Sequence, residues 1–355
     1  MTPQRTQTLP PRAGARLPAV PVMADVARRA GVSTMTVSRV LNGSPRVSDG
    51  TRGRVNTAIA ALGYRANVAA RTLAGGSSRV LGALSLKTEY YGPSNTLFGI
   101  ENAARRAGHL VSFVALNGAD TDEMRAAIGH LRSTQVEGLI VVAPLRSAAA
   151  ALTEIDADLP IVATTGSPGF ASTVSIDQRA GARLATRHLL ELGHATVHHV
   201  RGPRGWFDAD ARAAGWRAEL TAWRRPVPAV VGGDWSPDSG YAAGRCLAAD
   251  PSVTAVFVAN DQMALGVLLA LHEARRSVPE HISVVGFDDT PEAGFFVPPL
   301  TTVRQDFDEL GRHSVDQLLA RVAGDAPRRT VIDPHLRIRA STAPPTRHRR
   351  RSVPA

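Results

Sequence analysis

The sequence predicts an α/β protein with a three-helix helix-turn-helix head at the N-terminus, a hinge helix, and a two-lobed core of doubly wound parallel sheets. Residues 22–42 show the helix, glycine turn and second helix of the head. From residue 79 onward, near-continuous apolar runs alternate with amphipathic helical segments, which indicates parallel strands buried on both faces. These alternations form two series of about 95 and about 115 residues, each near the usual size of a domain.

The composition is that of a globular protein, and its charge is unevenly distributed. The 355 residues are 44% hydrophobic and 20% charged, which allows two or three domains with sizeable cores. The formal net charge is +10, yet residues 79–342 sum to −3, whereas residues 1–78 carry eleven arginines against two aspartates. A positive balance confined to the head is expected of a region that neutralises nucleic-acid phosphates.

Several features point to the cytoplasm. The single cysteine, Cys246, excludes an intrachain disulfide and fits a reducing compartment. No apolar run approaches the roughly eighteen residues of a membrane span, so we expect no membrane partner. Residues 1–21 are rich in Pro and Arg and lack the apolar core of a signal peptide; we interpret them as a disordered leader, and residues 343–355 as a disordered basic tail.

The first helix and the turn of the head follow from residues 22–33. Val26, Ala27 and Ala30 recur on one side of a short helix, which makes that side apolar. Gly31 ends the helix, because the sharp turn between two crossing helices requires a positive φ. Ser33 follows as an N-cap whose hydroxyl can accept an N–H of the next helix.

The second helix of the head, residues 34–41, has a packing face and an outward face. The residues expected to pack are Val37, Val40 and Leu41. The residues expected to face outward are Thr34, Met35, Ser38 and Arg39. Such a face suits the base edges and phosphates of a DNA major groove. An amphipathic helix pair in a protein core is the alternative, and the basic charge of the region favours nucleic acid.

A third helix is predicted at residues 49–62, capped by Ser48 and ended by Gly63. Its packing face comprises Val55, Ile59 and Leu62. A further short helical segment is predicted at residues 68–74, with Asn67 as its cap and Gly75 as its end. A helix of about seven residues is unstable alone in water, so we predict a hinge helix that forms only with a partner.

The core contains strands and helices in alternation. The predicted strands are 79–86, 110–116, 138–144, 160–165, 172–176, 195–200, 228–235, 254–260 and 282–287. The predicted helices are 94–107, 121–132, 178–192, 208–223, 238–248, 261–274 and 309–323. STVSI at 172–176 is interpreted as the start of the second series, and residues 306–342 either join one lobe or straddle both.

The candidate ligand residues follow from the rule that open parallel sheets bind ligands beyond the carboxyl ends of their strands. The rule selects 89–95, 164–165, 201–212, 234–235, 260–261 and 288–289. In these stretches Trp235 offers an apolar face for the C–H groups of a sugar ring. The neighbouring Asp, Asn and Arg residues offer polar groups for the sugar hydroxyls. The alternative role of such positions is a helix N-cap, which Asp261 and Asp289 could each provide.

The sequence offers little for an enzyme. It lacks the patterns GxSxG, GxxxxGK[ST], HExxH and CxxC, and we expect no catalytic residue, metal or cofactor. His198 and His199 lie in an apolar strand and point to opposite faces, which indicates structural histidines. Asp288 and Asp289 are neighbours at a strand end, so their carboxylates diverge. A transport binding protein with the same core would need export, and the head stands where its signal peptide would be.

Motifs along most of the chain carry a family resemblance. In order they are DVARRAGVSTMTVSRVLNG, RVSDGTR, NVAARTLAG, GDWSPDSGYAAG, VANDQMALG, SVVGFDD and PPLTTVRQDFDELG. From residue 25 to about residue 342 the chain resembles the bacterial transcription regulators of the lac repressor (LacI) family. The resemblance implies a core like the periplasmic sugar-binding proteins (type I), in which three crossovers join the two lobes.

The resemblance also implies domain bounds. These are a head at 22–65, a hinge helix and linker at 66–78, and a core at 79–342, with lobe 1 at about 79–175 plus 306–334 and lobe 2 at about 176–305 plus 335–342. The tail RHRRRSVPA cannot form a leucine-heptad coiled coil, so a homodimer rather than a tetramer is expected.

The resemblance assigns residues to two partners. A double-stranded, pseudo-palindromic operator would contact Ser33, Thr34, Met35, Thr36, Ser38, Arg39, Asn42, Asn67, Ala70 and Leu73. Of these, Thr34 and Met35 would read bases, and Leu73 would wedge into the minor groove. The favoured effector is a sugar, and it would contact Pro93, Ser94, Arg212, Trp235, Asn260, Asp288 and Gln305. A nucleobase or nucleoside corepressor is the alternative, because the family contains both kinds of regulator.

Three positions depart from the family pattern. Val22 replaces a capping Thr or Ser, which weakens the cap of the first helix. Ala66 replaces a proline before the hinge, so a looser hinge is expected. Thr165 stands where a galactoside-responsive member has a sugar-contacting aspartate, so the effector need not be a galactoside.

Overall fold

The computed structural model describes residues 21–41, 44–64, 77–86, 89–117, 120–143, 145–148, 159–166 and 169–346. The chain divides into two compact units, residues 1–78 and residues 79–355. Within the described residues, no helix combines the length and the apolar character needed to cross a membrane.

The first unit contains the three predicted helices, α1 (Met23–Ala30), α2 (Thr34–Leu41) and α3 (Asp49–Leu62). Their small core comprises the buried residues Val26, Ala27, Ala30, Val37, Val40, Val55, Ala58 and Tyr64. Gly31 has a φ of +66°, which confirms the prediction that a left-handed residue ends α1. Leu41, expected to pack, is instead 36% exposed, because it lies in the last turn of α2 beyond the core.

The caps of these helices match the sequence prediction only in part. Ser33 Oγ accepts the backbone N–H of Thr36 at 3.2 Å, as predicted. Ser48 precedes α3 but forms no side-chain cap; its hydroxyl donates to Thr51 Oγ1 at 3.0 Å instead. At α1, the backbone N–H of Val22 donates to the Asp25 carboxylate at 3.0 Å, so the acid supplies half of a capping box although Val22 has no polar side chain.

The described residues of the second unit form two six-stranded sheets. The strands of the first sheet are β1 (Val80–Leu86), β2 (Leu110–Leu116), β3 (Leu139–Val142), β4 (Ile161–Ala163), β5 (Thr173–Ile176) and β11 (Arg329–Ile332). Their order is β11-β5-β4-β3-β1-β2, and all neighbours are parallel. β1 lies between β2 and β3, and its Ala83 aligns with Phe113 and Ile140.

The strands of the second sheet are β6 (His198–Arg201), β7 (Val231–Gly232), β8 (Ala255–Val258), β9 (Ser283–Asp288), β10 (Thr301–Arg304) and β12 (His335–Arg337). Their order is β12-β10-β9-β8-β6-β7. β12 runs antiparallel to its neighbour β10, and the other described neighbours in this sheet are parallel.

Helices cover both sheets. They are α4 (Tyr91–Arg106), α5 (Thr121–Ser133), α6 (Gln178–Glu191), α7 (Phe207–Ala222), α8 (Pro237–Ala248), α9 (Asp261–Glu273) and α10 (Phe307–Val322), with a 3₁₀ turn at Pro291–Phe295. α10 packs on α4 and on strands of the first sheet. The chain therefore passes between the sheets three times: after β5, after β10, and between β11 and β12.

Three sequence predictions for the core are wrong. STVSI at 172–176 does not open the second series, because β5 pairs with β4 and β11 in the first sheet. β2 is not buried on both faces: it lies at the edge of its sheet, and Leu110 is 65% exposed. The helix predicted from residue 94 begins at Tyr91, which leaves Pro93 in the first turn, where a proline needs no N–H partner.

The contact between α4 and α10 depends on two glycines, which gives a test of this packing. A Cβ added to Gly311 would overlap the backbone of Gly99, and neither backbone can move without displacing its helix. We expect Gly311→Ala to destabilise the core by about 3 kcal/mol. Gly129→Ala, on the open face of α5, is the control and should stabilise by about 0.5–1 kcal/mol. Thermal unfolding followed by circular dichroism measures both; equal melting midpoints for the two variants would contradict the close approach.

Candidate functional site

The outward face of α2 carries residues that the sequence assigns to base and phosphate contacts. Thr34, Met35 and Arg39 are exposed, and Ser38 is half-buried beside them. Met35 is 62% exposed, although it is a large apolar side chain. Ser33 and Thr36 stand at the start of the same helix with their hydroxyls 2.9 Å apart. Thr34, Met35, Ser38 and Arg39 therefore share one face of a short helix, and Ser33 and Thr36 lie at its N-terminal end. The other predicted contacts, Asn42, Asn67, Ala70 and Leu73, lie outside the described residues.

Arginines of the head add uncompensated charge. Arg28 is paired with Asp25 at 3.2 Å, and Arg52 donates to the Ser44 carbonyl at 2.8 Å. Within the described part of the head, no carboxylate pairs with Arg29, Arg39 or Arg46, and all three are exposed. Guanidinium groups that are free of internal partners are available to phosphate oxygens.

A cleft lies between the two lobes of the core, at the carboxyl ends of the strands. Its volume is about 700 Å³ with the open mouth included. Of the predicted effector residues, those that line it are Pro93, Arg212, Trp235, Asn260, Asp288 and Gln305. Ser94 is not among its lining residues, whereas Gly92, Pro93 and Thr96 of the same helix are. Thr164 lines the cleft, whereas Thr165 is buried outside its lining.

Four side chains of the cleft form a closed polar ring. Arg212 Nε donates to Gln178 Oε1 at 2.8 Å, and Gln178 Nε2 donates to Gln305 Oε1 at 2.7 Å. Gln305 Nε2 donates to Asp288 Oδ1 at 2.7 Å, and Asp288 lies 3.6 Å from Arg212 Nη1. The ring fixes the orientation of both amides and joins segments that are distant in sequence. Gln178, at the start of α6, was not predicted from the sequence.

The Arg212 guanidinium is held from several sides. It lies 3.8 Å above the centroid of the Phe287 ring and 5.4 Å from that of Trp235, and Nη1 also donates to the Ala259 carbonyl. Among the described residues, none accepts a hydrogen bond from Nη2. Because stacking and hydrogen bonds fix its plane, Arg212 presents this remaining donor group in one orientation.

The pKa of Asp288 is raised to about 6 because the group is buried. The charge of Arg212 and, next, the hydrogen bond from Gln305 offset part of this rise. Asp261 lies beneath Asp288 with a pKa well above the ordinary value, chiefly through burial and next through the charge of Asp288. The Asp261 carboxylate accepts from Thr302 Oγ1 at 2.6 Å and from the Thr290 N–H at 2.9 Å. Asp261 therefore supports the floor of the cleft and does not line it.

Asn260 is the N-cap of α9. Its Oδ1 accepts the Met263 N–H at 2.9 Å, and its Nδ2 donates to the Trp235 carbonyl at 3.1 Å. The sequence alternative that Asp261 caps this helix is thus wrong, because Asp261 is already its first residue. Asp289 is not a cap either, since it pairs with Arg339 at 2.6 Å. Asp288 and Asp289 accordingly diverge, as predicted.

Aromatic rings form the apolar walls of the cleft. Trp206 contacts Tyr90 at 5.3 Å and Trp235 at 5.7 Å between ring centroids, in both cases edge to face. Tyr91 meets Phe307 in the same manner at 5.8 Å. Apart from Trp235, these lining rings were not singled out from the sequence, although Tyr90, Tyr91 and Trp206 fall in stretches selected by the strand-end rule.

Loops of the two lobes touch beside the cleft. Leu145 and Trp206 form an isolated antiparallel bridge, and the Arg146 N–H donates to the Gly205 carbonyl at 3.0 Å. The Arg146 side chain pairs with Asp210 at 3.0 Å, and Asp210 also pairs with Arg201 at 2.8 Å. The two lobes are therefore in direct contact on this side of the cleft.

Both units of the chain match profiles of known protein families. Residues 22–67 match the profile of bacterial regulatory proteins, lacI family, and residues 186–342 match that of the periplasmic binding protein-like domain. The chain is 37% identical over 324 residues to the lactose operon repressor of Klebsiella pneumoniae, covering 90% of this chain and 92% of that protein.

Solved structures agree with these matches. The crystal structure of the lac repressor dimer bound to operator and the anti-inducer ONPF covers 91% of this chain and 99% of its own, with a TM-score of 0.83 and 34% identity. The complex of the transcriptional regulator CelR with cellobiose covers 90% and 99%, with a TM-score of 0.69 and 32% identity. The chain thus belongs to the lacI family of bacterial regulatory proteins.

Proposed function

We propose that this chain is a repressor of transcription that binds a pseudo-palindromic operator as a homodimer and is controlled by a sugar in the interlobe cleft. The observation that carries the proposal is the cleft itself, where the polar ring of Arg212, Gln178, Gln305 and Asp288 is enclosed by aromatic walls. Polar groups that converge in a largely apolar cleft are typical of small-molecule sites, and aromatic rings beside them suit the C–H faces of sugars.

On DNA, Thr34 and Met35 would read base edges, and Arg39 with the N-terminus of α3 would bind phosphates. Residues 67–74, with Asn67, Ala70 and Leu73, would form the hinge helix in the minor groove. We assign the head to residues 22–65, the hinge and linker to 66–78 and the core to 79–342, with the lobes divided near residues 175, 305 and 334. The three passages between the sheets support that division of the core.

A sugar is the favoured effector. Similar regulators are named for sugars: the lactose operon repressor and the ribose operon repressor, and CelR was solved with cellobiose. A nucleobase or nucleoside corepressor is the second candidate, because the edge-to-face rings of Trp206 and Tyr90 could also pack on a base, and a repressor named PurR is 32% identical over 326 residues.

We assign no catalysis to the core. The Asp288 and Asp289 carboxylates face different partners, so they do not form an acid and base pair. His199 is fully buried and stacked on Phe257 at 4.8 Å, and burial lowers its pKa to about 3, which keeps its ring neutral. A structural role accounts for both features. A cytoplasmic location follows from operator binding, and we propose it on that ground alone.

Operator binding with and without metabolites tests the proposal. Palindromic duplexes from upstream of the neighbouring operon are titrated by fluorescence anisotropy at 50 and 200 mM salt, then with ribose, lactose, cellobiose, adenine and guanine. A specific duplex should bind with affinity that falls steeply with salt. A sugar should shift that affinity about 5–150-fold, the range of a coupling of about 1–3 kcal/mol. Absence of any salt-sensitive preference for a palindrome would end the proposal, and a shift by a nucleobase alone would replace the sugar.

The raised pKa of Asp288 predicts that the affinity for a sugar depends on pH. Ionised Asp288 accepts hydroxyl donors, whereas the protonated form loses that capacity, so affinity for a neutral sugar should fall as pH falls through about 6. Between pH 7.5 and 5.5 we expect about a fourfold loss, the change in the ionised fraction of such a group. Calorimetric titration with the sugar that shifts operator affinity measures this. An affinity that rises on acidification would contradict the role of Asp288.

A further inference from the structure

Asp208 is a charged residue of the cleft that the polar ring does not include. It is the second residue of α7, is half-buried and lines the cleft. Its carboxylate forms no hydrogen bond or ion pair with any residue that the structure describes. Nearby Asp210, in the same turn, is satisfied by Arg146 and Arg201. Asp208 therefore faces the cleft with its acceptor capacity unused.

Among the described residues that line the cleft, two acids, Asp288 and Asp208, accompany one cation, Arg212. Arg212 and Asp288 already belong to the polar ring. Burial raises the pKa of Asp208, while Arg212 lowers it. One negative charge is thus left over where solvent is limited, and a second anion placed there would meet it at close range.

The cleft also has an unused donor. Among the described residues, none accepts a hydrogen bond from Arg212 Nη2. A hydroxyl group both donates and accepts, so a polyol can satisfy Asp208 and this donor together. A phosphate or carboxylate only accepts, so it would leave Asp208 unsatisfied and add like-charge repulsion.

We propose that Asp208 is a specificity-determining residue that makes the cleft select neutral or cationic polyhydroxyl effectors and reject their anionic counterparts. The inference rests on the proposed sugar-controlled function and adds the class of sugar. Sugar phosphates and sugar acids are excluded, whereas free sugars, glycosides and amino sugars are accepted.

The test pairs neutral sugars with anionic counterparts on the full-length chain. Glucose, galactose, ribose, lactose and cellobiose are titrated calorimetrically beside glucuronate, galacturonate, ribose 5-phosphate, lactobionate and cellobionate. The unsubstituted protein should prefer a neutral sugar at least tenfold over its partner. Asp208→Asn should weaken the binding of the neutral sugar about tenfold or more, because hydrogen bonds to charged groups are stronger than those to neutral ones. The preference for the neutral sugar over its anionic counterpart should fall by a similar factor. If the asparagine variant has a clearly lower melting temperature than the unsubstituted protein, Asp208→Ser replaces it in the test.

Asp238→Asn is the matched control. Asp238 is also the second residue of a helix, α8, in the same lobe, but it is exposed and does not line the cleft. Its removal should change neither affinity nor preference, which separates ligand contact from loss of a helix-terminal charge. An anion preferred by the unsubstituted protein, or an affinity within twofold in the Asp208 variants, overturns this inference and leaves sugar control intact. If no sugar binds at all, sugar control fails and the inference falls with it.

Discussion

Replacing both Thr34 and Met35 by alanine is expected to reduce specific operator affinity about a thousandfold. A side chain that reads a base edge contributes about 1–3 kcal/mol to discrimination, and a dimer would lose two such contacts in each half-site. Both residues are exposed on α2, so their truncation removes nothing from the core of the head. Binding to unrelated DNA should persist, because Arg29, Arg39 and Arg46 remain available to phosphates.

The measurement is footprinting and anisotropy titration on specific and scrambled duplexes. Thr57→Ala is the control, since Thr57 is an exposed threonine on α3 whose hydroxyl donates only to the Gly53 carbonyl. The free energy of unfolding of the double variant should lie within about 0.5 kcal/mol of that of the unsubstituted protein, as is usual for surface substitutions. Unchanged protection of the operator would show that α2 is not the recognition helix.

The bounds of the head could be predicted from sequence because each signal is local. Gly31 and Gly63 adopt the left-handed conformation that ends a helix, and Ser33 caps α2 within three residues of its partner. Leu41 could not be placed in this way, since its exposure depends on where the small core ends. Ser48 shows the same limit, because a capping residue also has neighbours, here Thr51, that compete for its hydroxyl.

In the core, the alternation of strands and helices is visible in sequence, but the sheet that each strand joins is not. β5 has the apolar pattern of any buried strand, and that pattern alone put it in the second series. The lobe bounds implied by the family resemblance put most of it in the first lobe, and its pairing with β4 and β11 places it in the first sheet. The edge position of β2 is likewise a property of strand order. Hydrophobic periodicity reports burial along one segment and carries no information on which segments pair.

The site shows the same division between local and tertiary signals. The strand-end rule reached Trp235, Asn260 and Asp288, because topology alone brings strand ends together. Gln178 could have been found by the same rule had β5 been placed in its sheet, since it follows that strand by two residues. The bond from Gln178 to Gln305 joins residues 127 apart, and no local pattern predicts it.

Arg212→Ala is expected to abolish the effector response while operator binding persists. The change removes the donor group that faces the cleft and opens the polar ring at two points, Gln178 and Asp288. We expect effector affinity to fall at least about a hundredfold, because a charged, fully buried donor is lost and its partners are left unsatisfied. Anisotropy titration with the effector should then show no shift in operator affinity.

The same change should destabilise the core, and the pH dependence of that loss identifies its cause. Breaking a buried pair costs about 3–5 kcal/mol. Arg212 lowers the pKa of Asp288, so its removal raises that pKa further above the ordinary 3.8. A carboxyl with a raised folded-state pKa stabilises the fold below its unfolded-state pKa, and this contribution is lost as pH rises through the folded-state value. The melting deficit of Arg212→Ala should thus be larger at pH 7.5 than at pH 5.5.

Two further variants separate binding from folding. Arg212→Ala combined with Asp288→Asn removes the stranded carboxylate, so it should regain stability at pH 7.5 without regaining the effector response. Arg217→Ala, an exposed arginine on the same helix outside the cleft lining, should leave both properties unchanged. Loss of operator binding together with the effector response in the stabilised double variant would mean that Arg212 supports the fold as a whole. Retention of the response in Arg212→Ala would show that the response does not depend on Arg212, the one cation among the described residues that line the cleft.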